Sequence, residues 1–179
     1  TAYDELAMTE ASLSSAEDLI SRAREISVQG SNSVLGPEDR AILATEIEAI
    51  RDQLFKLANT QSPMGDYIFA GHATDRPAFA DNDGNYEFQG DNGQRALNIA
   101  AGVTVNVRTT GTDVFGEGET GIFSVLQNLA GGLRADDDEI IQRSMTRIDD
   151  SQQLMLEGIA DLGSRMGLVE DQQLLNEAF

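Results

Sequence analysis

A stripe of apolar side chains near the end of the chain constrains its fold more than any other feature. The stripe advances in alternating steps of four and three residues, with Gln152 filling one gap, and consists of Ile141, Met145, Ile148, Met155, Ile159, Leu162, Met166 and Val169. This alternation is typical of a helix that lies lengthwise along another helix. A helix from about Asp138 to Phe179 would be on the order of 60 Å long. The stripe therefore predicts part of a rod, and we expect the seam to continue beyond Phe179 in the intact protein.

The first 60 residues predict two more helices with the same kind of seam. In the first helix the seam comprises Leu6, Leu13, Ala16, Ile20 and Ala23, and in the second it comprises Leu43, Ile47, Ile50, Leu54 and Leu57. Turn residues at 30–33 end the first helix, and Pro37 suits the first position of the second. The short connection predicts an antiparallel hairpin. We expect the C-terminal stripe to pack on Leu43–Leu57 and on Leu13–Ala23.

The middle of the chain has a different composition and a different period. Ten of the 17 glycines lie between Gly65 and Gly121, and short segments there alternate with period two. These segments predict strands at 67–70, 86–89, 96–99 and 103–107. Apolar residues from Ile122 to Leu133 then predict a further helix, which the three aspartates at 136–138 separate from the long C-terminal helix.

Together these patterns predict a mainly α protein with a β insert. We expect an elongated antiparallel helical bundle, built from residues 1–70 and 113–179, with a small antiparallel β domain at 71–112 inserted between the helical halves. Neither helical block can bury its seam alone, so the two blocks are expected to pack together.

The charge of the chain excludes several classes of partner. There are 31 acidic and 12 basic residues, and the net charges of residues 1–65, 66–116 and 117–179 are −6, −4 and −9. A chain that is acidic throughout repels phosphates, which argues against nucleic acid and anionic membranes as partners. The chain has no cysteine, which removes disulfides, thiolate zinc sites and cysteine nucleophiles.

No motif in the sequence predicts an enzyme, a cofactor site or a metal site. The glycines at 116, 118 and 121 match G-x-G-x-x-G, but two glutamates stand where a phosphate would bind and no βαβ unit surrounds them. Asp81, Asp83 and Asn85 have the spacing that begins a calcium loop, yet the later ligand positions do not fit, and a polar hairpin turn is the simpler interpretation. His72 is the single histidine, and one imidazole cannot build a zinc site. We therefore assign no catalytic, cofactor-binding or metal-ligating residues.

One segment resembles a known family. The run from Leu57 to Gly71, LANTQSPMGDYIFAG, and the following TDRPAF at 74–79 resemble the flagellar hook-associated protein 3 (FlgL) family, the bacterial hook–filament junction protein. Asp39-Arg40, Gln53-Leu54 and Gly111–Phe115 resemble its pattern as well. Full-length members carry additional helical tails at both ends, so the chain is expected to be a core fragment without them.

The resemblance implies a structural protein of the extracellular bacterial flagellum. Its implied partners are neighbouring copies in a ring, a hook-associated protein on the hook side, flagellin on the filament side and a flagellar export chaperone. It also implies export through the flagellar secretion channel without a cleaved signal peptide. Flagellin itself, which shares the plan of helices around a β insert, is the main alternative. A module that binds a ligand through the β insert is a less favoured one.

Overall fold

The computed structural model describes residues 1–178, which form a helical bundle with two β hairpins. The elements in chain order are α1 (Ala2–Gly30), α2 (Pro37–Ala58), β1 (Phe79–Asn82), β2 (Asn85–Phe88), β3 (Ala96–Ala100), β4 (Val103–Asn106), α3 (Gly111–Phe115), α4 (Ile122–Arg134) and α5 (Asp138–Ala178). The mainly α architecture with a small antiparallel β insert is confirmed. The division at residues 70/71 and 112/113 stays a prediction, and so does the continuation of the seam, because Phe179 and everything beyond it lie outside the described residues.

The long helices begin and end at the residues that the sequence indicates. Thr1 and Asp4 form a capping box at the start of α1, and Pro37 opens α2. Between α4 and α5, Asp136 adopts a left-handed conformation with φ 52°, and the Asp137 carboxylate accepts a hydrogen bond from the backbone N–H of Ile140 at 3.1 Å. The helix α5 has 41 residues and is therefore about 62 Å long.

The C-terminal stripe packs on a different set of helices from the one expected. Its buried members, Ile141, Ile148, Met155, Leu162, Met166 and Val169, lie in the core. The main neighbours of α5 are α1, α4 and α3, whereas α2 packs on α4 and α1. The expected packing on the Leu13–Ala23 face is therefore confirmed, and the expected packing on Leu43–Leu57 is wrong. The helix α4 occupies the position beside α2, since its own apolar face is wide enough to serve both α2 and α5.

The gap in the stripe is filled by a polar contact with α1. The Gln152 amide donates to the Glu17 carboxylate at 2.6 Å and to the Ser21 hydroxyl at 2.8 Å. A polar side chain at a seam position that finds its partners favours one alignment of the two helices over the others. Gln152 thus sets the register of α5 on α1.

The four strands form two separate antiparallel hairpins. In the first hairpin Phe79 pairs with Phe88 and Asn82 with Asn85, and the connecting residues Asp83 and Gly84 both have positive φ, 53° and 86°. This is the two-residue turn that suits the twist of a hairpin, and Asp-Gly is a preferred sequence for it. The second hairpin pairs β3 with β4 and has a bulge between Asn98 and Ala100.

The predicted strand at 67–70 is wrong, because the segment is a turn. Tyr67 makes a single bridge to Gln61, and the next three residues, Ile68, Phe69 and Ala70, are all buried. A strand with one solvent-facing side would expose every second residue. A run of three consecutive buried residues instead places the backbone itself inside the joint between helices and hairpins.

One apolar core runs through the whole structure. Buried side chains of the helices, the turn after α2 and both hairpins form a single cluster. Within residues 1–178, no helix combines the length and the apolar character that a membrane span requires.

Candidate functional site: the joint between the helices and the hairpins

The first clamp of the joint is the side chain of Asn59. Asn59 follows the last residue of α2, and its amide makes two hydrogen bonds to the backbone of Phe79 at the start of β1. The Asn59 Nδ2 donates to the Phe79 carbonyl at 3.0 Å, and the Asn59 Oδ1 accepts from the Phe79 N–H at 2.9 Å. The amide thus pairs with β1 as a neighbouring strand would. It fastens the first hairpin to the end of α2.

A second clamp comes from Asp91, in the segment between the hairpins. Its Oδ1 accepts backbone hydrogen bonds from His72 and from Gly93, both at 2.8 Å. Its own N–H donates to the Ala70 carbonyl at 3.1 Å. These two backbone donors, first that of His72 and then that of Gly93, hold the pKa of the Asp91 carboxyl below its ordinary value.

The close approach at Asp91 explains a glycine of the resembling motif. Gly71 has φ 68°, and a Cβ placed there would lie 2.2 Å from the Asp91 Oδ1. Both the backbone conformation and the space therefore require glycine at this position.

A third clamp joins the second hairpin to α5. The Arg165 guanidinium donates to the Asn106 carbonyl at 3.1 Å and to the Arg108 carbonyl at 2.8 Å. It also reaches the Thr109 hydroxyl at 3.2 Å. The long helix is in this way attached to the segment that leads out of β4.

Aromatic rings fill the space that the clamps enclose. Phe79 packs edge-on against Phe115 and Phe123, with ring centroids 5.9 Å and 5.2 Å apart, and Phe69 packs edge-on against Phe115 at 5.4 Å. The full cluster comprises Phe55, Phe69, Phe79, Tyr86, Phe88, Phe115 and Phe123. Edge-to-face contacts add directionality to apolar burial. The joint is therefore held by packed aromatic rings as well as by the three hydrogen-bonded clamps.

The opposite end of the bundle is tied by one buried arginine. Arg40 is 4% exposed, and its guanidinium donates to the Gly30 carbonyl at 3.0 Å. It also donates to the carboxylates of Asp136 and Asp138, both at 2.6 Å. The Asp138 hydrogen bond is the largest of the effects that raise the pKa of Arg40. One side chain thus joins the end of α1, the start of α2 and the turn between α4 and α5.

The residues considered for cofactor or metal chemistry lie in three different places. Gly116–Gly121 follows the short helix α3 and includes a 3-10 turn at Gly118–Thr120, so no strand precedes it as a dinucleotide site requires. Asp81 accepts from the Gly84 N–H at 2.8 Å within the hairpin turn, which confirms the hairpin interpretation of that segment. His72 is exposed beside Asp91. Over residues 1–178, no cluster of three or more histidine or acidic side chains has a geometry that would hold a metal ion.

A hollow beside the joint is lined mainly by apolar atoms. It has a volume of about 350 Å³ and lies between the start of α1 and the loop at 62–66, with Met8, Met64, Ile68 and Val107 among its lining residues. Met64 is 90% exposed.

Three of the structurally important residues were not identified from the sequence. Asn59 and Arg40 stood within the resembling motifs, but nothing in their local pattern indicates their distant partners. The sequence around Asp91 indicates a turn, but it does not indicate that the Asp91 side chain binds the backbone of His72.

Parts of the chain are similar in sequence to known flagellar proteins. Residues 1–74 match the bacterial flagellin N-terminal helical region. Flagellar hook-associated protein 3 of Escherichia coli K12 is 42% identical over 85 residues, which are 48% of this chain and 27% of that protein. The Salmonella typhimurium protein of the same name is 34% identical over 116 residues, which are 64% of this chain and 35% of that protein. The aligned segments thus cover about a third or less of these two relatives.

Solved structures match nearly the whole chain. FlgL of Xanthomonas campestris aligns with a TM-score of 0.89 at 19% identity, covering 97% of this chain and 90% of that one. FlgL of Bacillus cereus gives a TM-score of 0.82 at 20% identity, covering 99% and 85%. Flagellin of the same organism gives 0.66 at 17% identity, covering 96% and 83%.

The bundle, the joint and these alignments define a protein with the flagellin-like fold. Within that class, the sequence is similar to flagellar hook-associated protein 3 and the fold is that of FlgL. The resemblance of the chain to that family is thereby confirmed.

Proposed function

We propose that the chain is the structural core of a hook–filament junction protein of the bacterial flagellum and that it performs no catalysis. The observation that carries the proposal is the joint. The motif that resembles the junction-protein family, from Leu57 to Phe79, supplies the Asn59 clamp and the buried turn that fix the first hairpin to the helices. The Asn59 side chain and the buried turn at 68–70 thus have an architectural role.

The helical part suits a load-bearing element. The helix α5 runs beside α1 for most of its length, and the register between the two is set by Gln152. Axial force on such a bundle is shared among many buried contacts, and the clamps of the joint attach both hairpins to it.

The proposed partners are those of a junction subunit. They comprise neighbouring copies of the chain in a ring, a hook-associated protein on the hook side, flagellin on the filament side and an export chaperone. The proposed location is the secreted, extracellular flagellum. The net charge of −19 disfavours nucleic acid and anionic membranes as partners.

Flagellin is the second candidate, and the fold favours it less. The TM-score to Bacillus cereus FlgL is 0.82, whereas the score to flagellin of the same organism is 0.66. Both curated relatives described above carry the name hook-associated protein 3.

Deletion of the gene for the full-length protein tests the proposal. A junction protein predicts cells that retain hooks, fail to keep filaments attached and release flagellin into the medium. Immunogold labelling of isolated flagella should place the protein in a short band between hook and filament. Labelling along the whole filament would identify a flagellin, and normal, firmly attached filaments in the deletion strain would overturn the proposal.

A ligand-binding role is the third candidate, and the hollow beside Met64 is the observation that favours it. A ligand at 100 times its Kd would stabilise the protein by about 2.7 kcal/mol. Thermal-shift screening against glycans, nucleotides and divalent cations should show no such stabilisation if the role is purely structural.

A further inference from the structure

The second clamp of the joint contains a pair of residues that can react with each other. Asn92 is the single asparagine of the chain that precedes a glycine, Gly93. The glycine nitrogen of such a pair can attack the side-chain carbonyl carbon of the asparagine, because glycine has no side chain to obstruct the approach. Asn92 is exposed, so water reaches its side chain and any product formed there.

The reaction is complete with water as its only reagent. A bond forms between the Gly93 nitrogen and the Asn92 side-chain carbon, and the bond from that carbon to the amide NH2 group breaks. The NH2 group leaves as ammonia, with the proton that the Gly93 nitrogen gives up. Water then opens the resulting five-membered succinimide ring at one of its two carbonyl groups, which yields aspartate or isoaspartate.

The packing around residue 93 preserves this reactive pair. A Cβ placed on Gly93 would lie 2.0 Å from the Cδ2 atom of His72, so the imidazole leaves no room for a side chain while it keeps its position. A larger residue after Asn92 would slow the reaction, but it would displace the imidazole.

The reacting nitrogen is held by the Asp91 carboxylate. The Gly93 N–H donates to the Asp91 Oδ1 at 2.8 Å, and the same oxygen accepts from the His72 N–H. The nitrogen has to lose its proton to attack, and a carboxylate at this distance opposes the negative charge that develops on it. Asp91 does not remove the proton itself, because its lowered pKa makes the carboxylate a weak base.

The other pair of this kind in the chain is held in the same way. Asp83 is the single aspartate that precedes a glycine, Gly84, and such a pair forms the same succinimide with loss of water. The Gly84 N–H donates to the Asp81 Oδ1 at 2.8 Å. A nearby carboxylate therefore holds the glycine nitrogen of each reactive pair, although the two pairs lie in different segments.

We propose that Asn92 is a site of covalent modification by water and that the Asp91 carboxylate slows this modification in the folded protein. The modification releases the second clamp once it occurs. Isoaspartate lengthens the main chain between Asp91 and Gly93 by one carbon atom, so the Asp91 Oδ1 no longer meets the N–H groups of Gly93 and His72 together. The inference concerns the chemistry of the joint and goes beyond the proposed structural role.

The rate of Asn92 conversion in the full-length protein tests the proposal. Wild type, Asp91→Ala and Asp81→Ala are incubated folded at neutral pH, and wild type is also incubated unfolded in urea. Mass spectrometry of the peptide that contains residue 92 then follows the replacement of NH2 by OH. Loss of a hydrogen bond to a charged group should make Asp91→Ala react about tenfold faster or more than folded wild type. Asp81→Ala is the matched control, since it removes the same group from the other pair, and its rate at Asn92 should equal that of wild type.

Three results would overturn the protective role of Asp91. They are equal rates in folded and unfolded wild type, an unchanged or lower rate in Asp91→Ala, and an equal increase in both alanine variants. If circular dichroism shows that Asp91→Ala does not fold, Asp91→Asn decides the question. It keeps the shape and an oxygen acceptor but lacks the charge, and it should react faster than folded wild type and slower than the unfolded chain; a rate no higher than that of folded wild type overturns the proposal.

The release of the clamp is tested on the product. Anion exchange separates converted from unconverted wild type, because conversion adds one negative charge. The fraction with isoaspartate at residue 92 should unfold at a lower urea concentration than the unconverted protein. An unchanged urea midpoint would show that the clamp survives the modification and would overturn this part of the proposal.

Discussion

The Asn59 clamp allows a sharp test, because replacing the amide NH2 group by an oxygen removes the donor of one of its two hydrogen bonds and leaves the other in place. In Asn59→Asp the side chain keeps its shape and one oxygen still accepts from the Phe79 N–H. The other position, where Nδ2 donates to the Phe79 carbonyl at 3.0 Å, becomes an oxygen without a proton at neutral pH. Two acceptors then face each other beside Phe79, which is 2% exposed.

The expected cost follows from two effects. Loss of the hydrogen bond removes about 1 kcal/mol, and the partly buried carbonyl left without a donor costs roughly 1–3 kcal/mol more. We therefore expect the free energy of unfolding to fall by about 2–4 kcal/mol at pH 7. For a chain of this size that corresponds to a decrease in Tm of roughly 5–15 °C.

The assay is thermal and urea unfolding followed by circular dichroism, with Asn98→Asp as the control. Asn98 is exposed on β3, so the control introduces the same charge without entering the joint and should stay within about 0.5 kcal/mol of wild type. Acidification supplies a second signature, because a protonated carboxyl group can donate to the Phe79 carbonyl again. The difference in the free energy of unfolding between wild type and Asn59→Asp should therefore shrink as the pH falls. If Asn59→Asp loses no more free energy of unfolding at pH 7 than Asn98→Asp does, the role of the clamp is refuted.

Three further predictions concern other parts of the structure. Arg40→Ala should lower the free energy of unfolding by about 2–3 kcal/mol in urea titrations, because the Gly30 carbonyl loses a charged donor; an unchanged urea midpoint would contradict this. The Asp91 carboxylate has a lowered pKa in the folded state, so it contributes stability above the ordinary aspartate pKa that is lost as the pH falls through the folded value. The difference in the free energy of unfolding between wild type and Asp91→Asn should therefore narrow on acidification. A constant difference from pH 7 to pH 3 would contradict a stabilising role of the Asp91 carboxylate. Gly163→Ala should raise stability by about 0.5–1 kcal/mol through helix propensity, since no atom lies within 4 Å of the new Cβ. Gly158→Ala should lower stability, since its Cβ would lie 2.3 Å from a Val114 methyl group; equal effects at the two glycines in thermal melts would refute the packing argument.

Local patterns were sufficient for most of the secondary structure. The seams of α1, α2 and α5 and the apolar face of α4 are periodic over several turns, and such a period depends only on the geometry of a single helix. The Asp83-Gly84 turn was likewise recognisable, because positive φ at two successive residues restricts the choice of amino acids. The short helix α3 was missed, because five residues are too few to show a period.

The identity of the packing partners was decided by the tertiary structure. An apolar seam predicts that a helix has a neighbour, but seams of the same kind are interchangeable, and so the sequence could not tell that α5 avoids α2 and packs on α1 and α4. The run Ile68, Phe69 and Ala70 is equally apolar as a strand or as a buried turn, and only the contacts with the aromatic cluster distinguish the two. Asn59, Asp91 and Arg40 find their partners 20, 19 and 96 residues away. Hydrogen bonds over such separations leave no periodic trace, because their geometry exists only after the helices and hairpins have come together.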